Sequence, residues 1–114
     1  MAENVVYVDF TDGVKRVMNN AKLYVRLLTK FKNDTSLSTL ESALAAGELE
    51  KAQTEAHTIK GVAANLSLTE LFKQSLELET QIKAKSVNDG QMEILKNTFA
   101  ATMTEVEKVI TENG

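Results

Sequence analysis

The chain contains no proline and only five glycines in 114 residues. Proline ends or kinks a helix, and a glycine in a helix interior costs about 1 kcal/mol relative to alanine. A chain nearly free of both imposes few interruptions on helices. Alanine, leucine, glutamate and lysine, all good helix formers, are plentiful. No segment shows the strict alternation of a half-buried strand. Val5-Val6-Tyr7-Val8 is the one β-like run; being short and solitary, it reads as an extended lead-in. The implied class is all-α.

Apolar spacing divides the chain into helices. Asp9, with Asp12 three residues on, marks the start of a short first helix. Asn19-Asn20 is a break, and Tyr24, Leu27, Leu28 and Phe31 then form one stripe of a helix over about Ala21–Phe31. The polar cluster Asn33-Asp34-Thr35-Ser36 reads as a turn with a cap. Leu37, Leu40 and Leu44 mark a third helix ending near Gly47. Leu49, Ala52, Ala56, Ile59, Ala63 and Leu66 recur every three or four residues, a seam suited to antiparallel packing. Ser67-Leu68-Thr69-Glu70 has the form of a capping box, with Leu66 and Leu71 placed as its hydrophobic staple. Leu68, Leu71, Phe72, Ser75, Leu78 and Ile82 give the fifth helix its inner face. Val87-Asn88-Asp89-Gly90 separates the last helix, with Met92, Leu95, Phe99, Val106 and Ile110 as its stripe. The expected architecture is an antiparallel up-and-down four-helix bundle with additional short N-terminal helices. It forms one domain over residues 1–114.

A net charge of −3 is too small and too mixed to argue for nucleic acid or an anionic membrane. Without cysteine there is neither a disulfide framework nor a thiolate metal site. The N-terminus lacks a basic region followed by an apolar one, and no apolar run approaches the roughly 18 residues of a membrane span. A cytoplasmic monomer is the expectation.

His57 is the only histidine. It lies off the apolar seam, among Gln53, Thr54, Lys60, Gly61 and Ala64, a polar or small face that leaves the ring exposed. Lys60 and Gly61 follow by three and four residues, so ring, cation and missing side chain share one face. Taken alone, a single histidine is more often a surface or packing residue. The mid-helix glycine argues otherwise, because its helix cost needs a packing or functional reason. Phosphoryl transfer to histidine suits such a site. An imidazole with an unperturbed pKa of about 6.5 is mostly a neutral nucleophile at pH 7. A lysine pairs with the resulting anionic group as a point charge.

His57-Thr58-Ile59-Lys60-Gly61-Val62-Ala63-Ala64-Asn65-Leu66 resembles the motif of histidine-containing phosphotransfer (HPt) domains. Leu23–Phe31 is similar to the family's earlier helix, Leu44-Ala45-Ala46-Gly47-Glu48 to its Leu-x-x-Gly-Asp turn, and Leu78-Glu79 to a Leu-Glu pair on the following helix. Ser67 replaces the glycine usual after the motif's leucine, and Glu48 replaces aspartate. The resemblance implies a four-helix bundle whose His57 accepts a phosphoryl group from a receiver-domain aspartate and passes it to another receiver. It implies that Lys60 stabilises that group and that Gly61 gives steric access. Ala64, Thr58 and Thr54 fall on the surrounding docking surface. No cofactor is expected on this chain; the resemblance puts Mg²⁺ on the partner receiver. A hybrid histidine kinase is a further partner it implies. Gln74 and Lys83, on the next helix, are placed to reach the same face.

No Walker-type nucleotide loop is present, so an autonomous kinase is not expected. The dimerisation domain of a sensor kinase fits less well, since its histidine is usually followed by an acidic residue and then a proline. A phosphotransfer module of a hybrid or chemotaxis-type kinase remains open; the span from Met1 to Gly114 favours a free-standing carrier. A helical adaptor in which His57 is replaceable is the alternative from a different class. One histidine without cysteine makes metal-dependent hydrolysis a poor third.

Overall fold

The computed structural model describes residues 5–88 and 90–113, which contain six α-helices and no strand. These are α1 (Phe10–Arg16), α2 (Ala21–Phe31), α3 (Ser36–Ala45), α4 (Leu49–Asn65), α5 (Thr69–Lys83) and α6 (Gln91–Asn113). Residues 5–9 form no regular element, as expected of a lead-in. Asp9 caps α1 by accepting the Asp12 N–H, and Asn20 caps α2 by accepting the Leu23 N–H. Asp34 accepts the Ser36 N–H where α3 begins. Gly47, at φ +75°, turns the chain out of α3.

Helix α4 packs against α3 and α5, α5 against α6, and α6 against α2. The all-α up-and-down bundle read from the sequence is therefore the fold that forms. Helix α6 spans both early helices: Phe31 of α2 packs on Phe99, and Glu41 of α3 pairs with Lys96. The α4 seam is buried at Ala52, Ala56, Ile59, Ala63 and Leu66. Its alanines let neighbouring helices approach closely, while Leu71, Leu78, Ile82, Leu95 and Val106 fill the space. Each such large apolar side chain contributes about 1.5–3 kcal/mol on burial. Helix α1 is pressed onto α2 so closely that a Cβ at Gly13 would overlap the Tyr24 ring. The Tyr24 hydroxyl in turn donates to the Leu66 carbonyl at the end of α4.

Three details differ from the sequence reading. The capping box does not form. Ser67 sits at φ +57°, the Leu68 N–H bonds the Ala63 carbonyl and the Ser67 N–H the Ala64 carbonyl. That is a Schellman ending of α4, with Ser67 in the left-handed position where glycine is usual. The Ser67 hydroxyl instead donates to Asp12, and Glu70 accepts from Gln74. Phe72 is exposed rather than inward-facing. On α6 only Leu95 and Val106 of the expected stripe are fully buried, while Thr98 and Thr102 join them inside. The buried Thr102 hydroxyl is satisfied by the Thr98 carbonyl one turn back. Asp89, in the expected separator before α6, lies outside the described residues.

Candidate functional site

Only three residues separate α4 from α5, so the two helices form a hairpin. The hairpin sets His57 of α4 beside Glu79 of α5. His57 is exposed, its side chain 66% accessible, whereas Glu79 is buried at 3%. The His57 Nδ1 lies 3.1 Å from Glu79 Oε2, and the Lys60 Nζ lies 2.8 Å from Glu79 Oε1. Lys83, one turn beyond Glu79 on α5, brings its Nζ within 3.6 Å of Oε2. One buried carboxylate thus gathers the ring and two ammonium groups.

Burial alone would raise the pKa of Glu79. The Lys60 and His57 contacts, together with the Lys60 and Lys83 charges, outweigh burial and hold the carboxyl below the ordinary glutamate range. Glu79 is therefore ionised at neutral pH and only accepts. The hydrogen between it and the ring belongs to Nδ1. The lone pair then resides on Nε2, at the opposite edge of an exposed ring.

Gly61 lies one helical turn past His57, and a Cβ built there meets nothing within 4 Å. Packing inside the chain does not require this glycine, so its helix cost of about 1 kcal/mol is not offset by any internal contact. Thr54 and Thr58 are exposed, and their hydroxyls donate back to the carbonyls of Glu50 and Thr54. Thr54 also borders an open cavity of about 330 Å³ together with Gln53, His57, Glu79 and Lys83. Ala64 lies two turns from the ring, bordering a separate cavity with Asp12, Arg16, Ser67 and Phe72.

Gln74 does not join the site. Its amide donates to Glu70 and accepts from Gln91 of α6, in a side-chain network at the α5–α6 contact. The residue that sequence reasoning passed over is Glu79. Its signal was present, since Leu78-Glu79 matched a family feature and a glutamate among the inner positions Leu78 and Ile82 demands a partner. Among the described residues, no three His, Cys, Asp or Glu side chains converge as metal ligands. No described helix is long and apolar enough to cross a membrane.

The family model of the Hpt domain matches residues 26–110, well over half of the chain. The chain belongs to the Hpt domain family. The match runs from within α2 to within α6 and includes His57, Lys60, Gly61, Glu79 and Lys83, leaving α1 outside. Hpt domains are helical phosphocarriers of two-component signalling that interact with receiver domains, and they are not kinases. No curated protein and no solved structure matches this chain.

Proposed function

We propose that this Hpt domain carries a phosphoryl group on His57 Nε2, taking it from a receiver-domain aspartate and delivering it to another. The observation that carries this reading is the ring's placement. It is exposed, yet its Nδ1 is fixed on a buried, ionised glutamate. Attack begins from the Nε2 lone pair. The Nε2–P bond forms as the P–O bond of the aspartyl phosphate breaks, and the departing electron pair returns to the aspartate carboxylate. Throughout, Glu79 holds the Nδ1 proton and stabilises the positive charge that develops on the imidazole. The reverse reaction uses the same groups.

Lys60 steadies the site's charge from one side of Glu79. Gly61, Thr54, Thr58 and Ala64 supply a low surface across which the receiver approaches. The receiver provides Mg²⁺ and the remaining charge stabilisation. The carrier acts as a cytoplasmic monomer, and a hybrid histidine kinase is one source of its donor receiver.

Incubation with a receiver phosphorylated on aspartate, in the presence of Mg²⁺, tests the reading. Acid-labile phosphate should appear on the wild-type chain and be absent from His57→Gln. Labelling that survives His57→Gln, or no labelling by any receiver of the source organism, would refute it and leave the helical adaptor.

A further inference from the structure

Residues 13–33 hold six of the chain's thirteen lysines and arginines and none of its sixteen acidic residues. Arg16 pairs with Asp12, and Lys32 with Glu107. Lys15, Lys22, Arg26 and Lys30 are exposed and make none of the described ion pairs. Lys22, Arg26 and Lys30 stand four residues apart on α2, in a row about 12 Å long. Like charges at that spacing repel one another. Lys30 ends the row at a cavity of about 600 Å³ between α1, α2 and the end of α4. Val17, Leu27, Phe31, Val62 and Leu66 give this cavity an apolar lining. Arg16 is a second cation on its wall, and Asp34, the one acid there, already accepts the Ser36 N–H. Met18, next to Val17 in the chain, is 91% exposed and stands at φ +60°.

We infer that this cavity and the basic row of α2 form a docking surface for an acidic amphipathic helix of a partner protein. The partner helix lies along α2, with apolar side chains in the cavity and carboxylates against Lys22, Arg26 and Lys30. Charge complementarity sets this chemistry, since cations four residues apart match carboxylates spaced the same way on a neighbouring helix. The concave apolar lining takes protruding side chains, which neither a flat bilayer nor a phosphate backbone supplies. Met18 is unbranched and flexible, the kind of side chain that adapts its packing to an incoming apolar surface. The surface is separate from the site at His57. Lys60 faces Glu79 of α5, and Val62, two residues on, lies about 200° further round α4. Neither His57, Lys60 nor Gly61 borders the cavity. Lys15, Arg16 and Lys22 precede the residues that the family model matches, so the family motif does not account for them.

Titration of the full chain with a synthetic peptide of about four helical turns tests the assignment. The peptide carries leucines at helical spacing on one face and glutamates along the flank. Backbone ¹H–¹⁵N NMR should show shifts confined to α1, α2 and the Val62–Leu66 end of α4, and affinity should fall as salt is added. Lys30→Glu should weaken binding by roughly tenfold. Lys73→Glu, the same charge change at an exposed position of α5, should leave it unchanged. His57→Gln should bind as wild type does, so the result is independent of whether His57 carries phosphate. A peptide with lysine in place of glutamate, and one with the same residues in scrambled order, should not bind. No binding of the acidic peptide, equal binding of either control peptide, equal loss in both charge variants, or shifts centred on His57 would overturn the inference. Tighter binding of phosphatidylglycerol vesicles or of a DNA duplex to the same face would overturn it as well.

Discussion

Replacing Glu79 with glutamine changes one atom's chemistry at the centre of the site and should be felt twice. The first effect is on stability. Removing one member of a buried ion pair costs about 3–5 kcal/mol when the remaining charge is trapped. Here the cations left behind reach solvent, Lys60 at 22% and Lys83 at 57% accessibility. Screening reduces the penalty, and the glutamine carbonyl still accepts one hydrogen bond. The expected loss is nearer the lower range for hydrogen bonds to charged groups, about 2 kcal/mol. For a domain of this size that lowers the melting midpoint by about 8 °C. The second effect is on the ring. Glutamine can present its NH₂ to Nδ1, which then becomes the acceptor and shifts the hydrogen to Nε2. The nucleophilic lone pair would then face inward. Loss of a partner that sets a histidine tautomer costs on the order of tenfold to a hundredfold at metal sites, and transfer should slow by a similar factor. Thermal melts followed by circular dichroism, ¹⁵N spectra of the imidazole and transfer kinetics measure the three quantities. A Glu79→Gln variant that melts at or above the wild-type temperature, with Nδ1–H still dominant, would show that Glu79 neither stabilises the fold nor sets the tautomer.

Acidification should act through the same carboxylate. Because the Glu79 pKa is lowered in the fold, its contribution is fully present above the ordinary glutamate value and is lost as pH falls through the depressed one. The stability gap between wild type and Glu79→Gln should accordingly narrow in denaturant melts as pH drops through that window. Gly61→Ala should raise stability by up to about 1 kcal/mol, since the Cβ meets open space. Gly61→Gln should stay folded but slow transfer, and a chain unfolded by circular dichroism would show that Gly61 is a packing residue instead. Gly13→Ala should destabilise by about 1–3 kcal/mol, the range for forcing extra volume into a packed contact, because the Tyr24 ring must move; an unchanged urea midpoint would contradict it.

The parts of this fold legible in the sequence are those governed by periodicity. The α2 and α4 stripes recur over several turns, so Tyr24, Leu28 and Phe31, and the seam residues Ala52, Ala56, Ile59 and Ala63, are buried where the spacing puts them. His57 falls off that seam and is exposed, as its neighbours in the sequence imply. Ser67 misled because two local patterns overlap there. Ser-x-x-Glu favours a helix start, but closing α4 through the Leu68 and Ser67 N–H groups required the left-handed conformation first. The family's glycine at that position was the better clue to the backbone. The cluster around Glu79 was hidden for another reason. It joins residues 22 apart on two helices, and only the rotation of the α4–α5 hairpin decides which charged residue of α5 meets the ring. The same rotation turned Gln74 toward Gln91 and away from the ring, whereas Lys83 meets Glu79 within α5, one turn apart.

In the transfer reaction Nε2 of His57 becomes bonded to phosphorus while Nδ1 keeps its hydrogen on Glu79, as proposed above. NMR of the ¹⁵N-labelled chain after phosphorylation measures this directly, through the ¹⁵N–³¹P coupling within the imidazole. Coupling to Nε2, with a protonated Nδ1, is the predicted result. Coupling to Nδ1, or a phosphorylated chain with no phosphorus on His57, would contradict the account.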